Sequence, residues 1–206
     1  MQIIKCTDKS FNFQYIAYVP DNVSDKPAIL FQLHGAGERG DNIDDVLKLG
    51  FANTVNDETL KDCILIMPQC PENTFWAAKI ESLKIFMDNI VEKFNADKNR
   101  IYLCGLSMGG FGTWYTAMAY PDYFAAIAPC CGGGMPWNAY VLKMPVWAFH
   151  GMLDECVLPS NTIDMVNALK PHNPNVKCTL YDDIAHHAWV RAFDNDLLEW
   201  FLSQHK

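Results

Sequence analysis

Basic stretches are missing from this sequence. Its 206 residues carry 16 Lys and Arg against 24 Asp and Glu, a net charge of −8 with no basic block, so a polyanion such as nucleic acid is repelled overall. Long apolar runs are missing too. None approaches the roughly 18 residues needed to cross a bilayer, and the opening MQIIKCTDKSFNFQY lacks the basic start, apolar centre and small-residue cleavage site of a secretory signal. The expectation is a cytoplasmic protein with no nucleic-acid or membrane partner. The eight cysteines include no Cys-x-x-Cys pair, which removes the usual zinc spacing, and most lie in apolar runs as expected of reduced core residues. No repeat or low-complexity linker divides the chain. With half of its residues hydrophobic, it is expected to form one domain over residues 1–206. Nothing in it fixes an oligomeric state.

What is present is a succession of apolar runs. Gln2 to Cys6 and Phe13 to Val19 read as two early strands forming an antiparallel edge, joined by a polar turn around Thr7 to Ser10. Ala28 to Leu33, Cys63 to Met67, Ile101 to Cys104, Ala125 to Cys131, Met144 to Phe149 and Val176 to Tyr181 read as further strands, most of them buried on both faces. Between them, Lys79 to Phe94 has helical spacing, and helices are expected at Thr162 to Leu169 and Ala192 to Ser203, with a mixed helix and loop over Asp44 to Leu60. Strands alternating with helices predict a mostly parallel sheet covered on both faces, with functional residues in loops beyond the carboxyl ends of the strands.

The segment RIYLCGLSMGGFGTWYTAMAY, Arg100 to Tyr120, stands out. Gly105-Leu106-Ser107-Met108-Gly109 falls between a strand-like run and a helix-like run, the context of a nucleophile elbow. The glycines leave room for a sharp turn that exposes the serine hydroxyl, and the helix start behind it offers N–H groups and a positive dipole end to a developing oxyanion. The same pentapeptide elsewhere marks only a glycine-rich turn. Two further loops carry candidate partners: Asp154 follows the strand ending at Phe149, and His186-His187 follows the strand ending at Tyr181. Each alone would be a helix cap or a packing histidine; together they stand in the order serine, acid, histidine. Asp182 and Asp183 remain alternatives for the acid. His34-Gly35-Ala36-Gly37 after the third strand offers a loop from which a backbone N–H could face the substrate oxygen. His34 and His150 each begin a His-Gly step after a strand, and with no convergent ligands they are expected to make structural hydrogen bonds, so no metal is expected.

Leu33-His34-Gly35-Ala36-Gly37-Glu38-Arg39-Gly40, Pro68-Gln69-Cys70-Pro71, Gly105 to Thr113 with Trp114, and Cys131 to Gly134 together resemble the compact serine esterases of the α/β-hydrolase superfamily, including those often labelled predicted peptidases or phospholipase/carboxylesterase-like. The resemblance covers nearly the whole chain. It implies an α/β-hydrolase fold of about eight strands with no substantial lid. It further implies Ser107 as nucleophile, His186 as general base and acid, Asp154 as the residue orienting the imidazole, and the N–H groups of Ala36 and Met108 as oxyanion hole, with no cofactor. The chain departs from the usual Gly-His at the histidine, having Ala185 before His186-His187, so the choice of ring rests on register with Trp189. The implied reaction is two-step hydrolysis of a small-molecule ester, with thioester or peptide cleavage by the same residues, or a non-catalytic binding protein on the same fold, as alternatives.

Only Gly132 to Lys143 separates the strand at Ala125 to Cys131 from the next, which is expected to be a mobile loop too short for a helical cap. The predicted site is open and suited to short acyl groups on bulky alcohols such as a sugar or aryl group. Trp76, Trp137 and Trp189 fall in segments near its mouth, and Trp76 and Trp189 are the candidates for substrate contact, against the commoner use of tryptophan in cores.

Overall fold

The computed structural model describes residues 1–8 and 12–206; Lys9 and Ser10 of the expected polar turn lie outside the described residues. Eight strands form one sheet: β1 (Gln2–Cys6), β2 (Tyr15–Val19), β3 (Ala28–Leu33), β4 (Cys63–Pro68), β5 (Ile101–Leu106), β6 (Ala126–Cys130), β7 (Val146–Gly151) and β8 (Val176–Tyr181). Their order is β1-β2-β4-β3-β5-β6-β7-β8. The β1–β2 pair is antiparallel, as the early edge predicted, the β2–β4 pair is antiparallel as well, and every later pair is parallel. The helices are α1 (Asp57–Leu60), α2 (Ile80–Lys93), α3 (Met108–Ala119), α4 (Ser160–Leu169), α5 (Trp189–Ala192) and α6 (Asn195–Leu202). No helix among the described residues is long and apolar enough to cross a membrane.

The near-continuous apolar strands split their residues by parity, because successive side chains point to opposite faces. Ile29, Phe31 and Leu33 of β3, with Ile101 and Leu103 of β5, pack with Leu83, Phe86 and Ile90 of α2, Trp114 and Ala117 of α3 and Met165 and Leu169 of α4. Ala28 and Leu30, with Tyr102, Cys104 and Leu106, pack with Leu60 of α1 and Leu197, Leu198 and Phe201 of α6. Both faces of the sheet are therefore buried, the requirement for strands of this composition.

The differences from the expected boundaries have local causes. Phe13 precedes β2 rather than joining it, because its ring is wedged against Trp76 and Phe86, each 5.6 Å between centroids. The closing helix is two pieces: Phe193 turns inward to stack on Phe51 at 5.1 Å, and Asp194 caps a new start by accepting the N–H of Leu197 at 3.0 Å. Asp44 to Leu60 holds two 3-10 turns, Ile43–Leu47 and Gly50–Asn53, before α1. The glycine run after β6 is not the open loop its composition suggested. Gly132 and Gly133 are buried, and a Cβ on Gly132 would stand 2.5 Å from the carbonyl carbon of Gly110, so the run is glycine because two backbones meet there. A 3-10 turn, Pro136–Val141, fills the remainder of that interval.

The chain reverses its direction of travel at β3, which has β4 on one side and β5 on the other. In open parallel sheets a crevice forms at such a switch point, outside the carboxyl ends of the strands. The loop after β3 and the turn after β5 flank it.

Candidate active site

Ser107 follows β5 directly and carries φ 54° and ψ −118°, a conformation that side-chain-bearing residues avoid. Such a backbone costs on the order of 1–3 kcal/mol and persists only where the surroundings impose it. Here the Ser107 N–H donates to Cys130 O at 2.9 Å on one side. On the other, Gly109 lies so close to β3 that a Cβ would be 2.0 Å from Leu33 O. The turn projects Ser107 beyond the sheet with α3 starting at Met108.

His186 and Asp154 arrive on two other loops. Met152 and Leu153, after β7, donate their N–H groups to Tyr181 O and Ile184 O at 2.8 and 3.0 Å, which ties the β7 loop to the loop after β8. Across that join, Ser107 Oγ stands 2.8 Å from His186 Nε2, and His186 Nδ1 stands 2.7 Å from Asp154 Oδ2. Asp154 is buried, and its Oδ1 accepts the N–H groups of Cys156 and Val157, both at 2.9 Å. Burial alone would raise its pKa. The bonds from His186 and from the Val157 and Cys156 N–H groups outweigh that and hold the carboxyl below its ordinary value, so it is ionised. Asp182 and Asp183 are exposed, and Asp183 is engaged by Arg191 through two contacts of 2.8 Å. His187 is also exposed.

The loop after β3 is braced from behind by His34, in the structural hydrogen bonds expected of it, and by Gln69, whose part was not read from the sequence. His34 Nε2 accepts the Cys70 N–H at 2.9 Å, so Nδ1 carries the proton and donates to Gly35 O at 2.6 Å. Burial lowers the pKa of His34 from 6.5 to about 4, which keeps this neutral form. In a trans peptide the carbonyl and the following N–H point in opposite directions, so fixing Gly35 O fixes the direction of the Ala36 N–H. Gln69 donates to Glu38 O at 2.8 Å and to Asn42 O at 2.9 Å, so the Pro68-Gln69-Cys70-Pro71 motif holds the loop at two points. A Cβ on Gly35 would lie 3.7 Å from Ser107 Cβ, which puts the Gly35–Ala36 turn beside the serine.

The two tryptophans named as candidates part company. Trp76 is fully buried, packs edge-on against the His34 ring at 5.1 Å and donates its indole N–H to His34 O at 3.0 Å. It buttresses the loop and offers no surface, which corrects the expectation of substrate contact. Trp189 is half-buried, with its ring perpendicular to that of His186 at 5.3 Å. Trp137 is 76% exposed. An apolar groove of about 440 Å³ lined by Phe75, Ala77, Met108, Phe111 and Tyr115 opens next to the elbow. The spacing 108, 111 and 115 marks one face of a helix, a signal hidden by the apolar character of α3 on its other faces. A larger hollow of about 530 Å³, lined by Asp88, Lys98, Ile101 and Lys206 among others, lies by the opposite end of β5, away from Ser107.

Cys131, His150 and Asp154 bring possible metal-ligand atoms within 4.8 Å of one another. The atoms are committed elsewhere: both Asp154 oxygens accept hydrogen bonds, and His150 Nε2 faces Val157 O at 2.9 Å. The donor set reads as a hydrogen-bonded network.

The sheet, its crossovers and the placing of a serine, a histidine and an aspartate on the loops beyond β5, β8 and β7 define an α/β-hydrolase fold. A solved thermostable esterase superposes with a TM-score of 0.87 at 27% identity, over all of this chain and 63% of that one. The model of the dienelactone hydrolase family matches residues 15–197, and the chain belongs to that family. Feruloyl esterase B of Neurospora crassa is 31% identical over 129 residues, 59% of this chain and 44% of that protein. A bifunctional acetylxylan esterase/xylanase of Neocallimastix patriciarum is 29% identical over 147 residues, 65% of this chain and 20% of that protein. The chain thus spans less than half the length of these curated relatives. A feruloyl esterase module of Clostridium thermocellum, solved with sinapinate, shares the fold at a TM-score of 0.79 and 20% identity over 98% of this chain and 88% of that one.

Proposed function

We propose that this protein is a serine hydrolase of carboxylic esters. The observation that carries the reading is the unbroken line from Ser107 Oγ to His186 Nε2 at 2.8 Å and from His186 Nδ1 to Asp154 Oδ2 at 2.7 Å. Asp154 accepts a hydrogen bond from Nδ1–H, which keeps the proton on that nitrogen and leaves Nε2 bare toward the serine. His186 takes the hydroxyl proton as Oγ attacks the ester carbonyl, and the backbone N–H groups of Ala36 and Met108 receive the oxyanion. The proton then passes to the departing alcohol, and water, activated by the same ring, releases the acid and frees Ser107. No cofactor enters this scheme.

The substrate is a small ester with a short acyl group on a bulky alcohol such as a sugar or aryl group. This is supported by the short interval after β6, whose 3-10 turn builds no helical cap, and by relatives named acetylxylan esterase. Trp189, beside His186, is the candidate surface for the alcohol. A second reading, an aromatic acyl group, is favoured by the groove beside Met108, where the rings of Phe75, Phe111 and Tyr115 suit a planar partner, and by relatives named feruloyl esterase.

The test is labelling by a fluorophosphonate probe followed by a rate series over acyl groups at fixed alcohol. The reading expects probe on Ser107 and a maximum at acetyl or butyryl; a maximum at hydroxycinnamoyl esters selects the second reading. Absence of labelling, or a maximum at long acyl chains with rates rising at an emulsion surface, contradicts the proposal.

A further inference from the structure

Asp154 Oδ2 has a second imidazole beside it. His150, the fifth residue of β7, is wholly buried, and its Nε2 lies 3.2 Å from Asp154 Oδ2 and 2.9 Å from Val157 O. Neither oxygen has a proton to give, since one is a peptide carbonyl and the other belongs to an ionised carboxylate. A bare Nε2 would point its lone pair at two oxygens in a buried setting, so Nε2 must carry a proton. On the far side of the ring, Nδ1 is 2.7 Å from Thr162 Oγ1 on α4. Thr162 is also buried, and its Oγ1 lies 2.9 Å from Gly132 O, which anchors it to the glycine run beneath the elbow.

We propose that His150 is a positioning residue that donates Nε2–H to Asp154 Oδ2, so that the oxygen facing His186 receives two imidazole N–H groups rather than one. The inference rests on the esterase reading for its kinetic consequence but not for its geometry. Two consequences follow. The carboxylate is held by four donors, the Cys156 and Val157 N–H groups on Oδ1 and the two rings on Oδ2, and cannot rotate away as His186 gains and loses its proton. The second donor also withdraws charge from Oδ2. A carboxylate so drained orients the His186 ring and leaves the proton on its Nδ1.

The titratable groups that face His150 are Asp154 from its own loop, His186 from the loop after β8 and the Cys131 thiol from the end of β6; α4 presents the Thr162 hydroxyl. Burial lowers the pKa of His150, against the raising effect of Val157 O and Asp154.

The test combines two readouts. Replacing His150 by Leu, which removes the donor, is expected to lower kcat about 10- to 100-fold with little change in KM. His150→Gln, which places an amide N–H near the former Nε2, is expected to restore most of kcat. A structural role alone would lower both variants together, and that result overturns the proposal. Nitrogen-15 NMR of the histidine rings in the wild-type protein provides a readout independent of activity and of the folding of any variant. A His150 ring that carries a proton on Nε2 is expected, and a ring protonated at Nδ1 alone refutes the geometry.

Discussion

His186 Nε2 meets Ser107 Oγ at 2.8 Å, whereas its neighbour His187 is exposed and turned to solvent. One ring can reach the serine while its other nitrogen reaches Asp154. His186→Ala is therefore expected to abolish ester hydrolysis, by about a thousandfold or more, and His187→Ala to keep most of it. Rates of p-nitrophenyl acetate hydrolysis by the two variants decide the matter, and the reverse pattern would move the assignment to His187.

The approach of the elbow to β3 makes a stability prediction. A Cβ on Gly109 would be 2.0 Å from Leu33 O and 2.8 Å from His34 O, both backbone atoms at the end of a central strand, whereas one on Gly37 would meet nothing within 4 Å. Gly109→Ala should cost about 3 kcal/mol or more, and Gly37→Ala should stay within about 0.5 kcal/mol of wild type. Urea midpoints of the two variants measure the contrast; equal midpoints would contradict the close packing of α3 against β3.

Much of this arrangement is legible from residue order because parallel strands buried on both faces must be apolar throughout. Runs such as Ala28 to Leu33 and Cys63 to Met67 can therefore hardly be anything else, and Ser107 and Asp154 follow such runs, whereas His186 follows the edge strand β8, whose residues are half-buried or exposed. What is not legible is which way neighbouring side chains turn. Phe75 is 54% exposed and Trp76 fully buried, although both are large aromatics in one loop. The choice is made by Phe13, the His34 ring and the His34 carbonyl, which receive the indole from segments distant in sequence. The glycine run after β6 misleads for a similar reason: its composition suits a free loop, but its neighbour is the backbone of α3.

His34 gives the molecule a pH-sensitive brace. Its folded-state pKa of about 4 lies below the 6.5 of the unfolded chain, so as pH falls the unfolded chain takes up the proton first. The contribution to stability is whole above pH 6.5, declines through the window down to about 4, and is flat below it. The loss across that window is on the order of 3 kcal/mol. Urea unfolding at the two ends of the window, in wild type and in His34→Gln, isolates the term because the other titrating groups are common to both. The wild type is expected to lose more stability than the variant, and equal losses would contradict the assigned role of the ring.

The most direct measurement of the central claim is the rate of p-nitrophenyl acetate hydrolysis by Ser107→Ala, with the variant shown to be folded by its urea transition. In the proposed reaction the hydroxyl contributes its oxygen to the attack and its proton to His186, while the bond from the residue 107 N–H to Cys130 O is retained in the variant. The fold is expected to persist and the rate to fall by at least about a thousandfold. A folded Ser107→Ala that hydrolyses the ester at a rate near that of the wild type would show that the chemistry resides elsewhere.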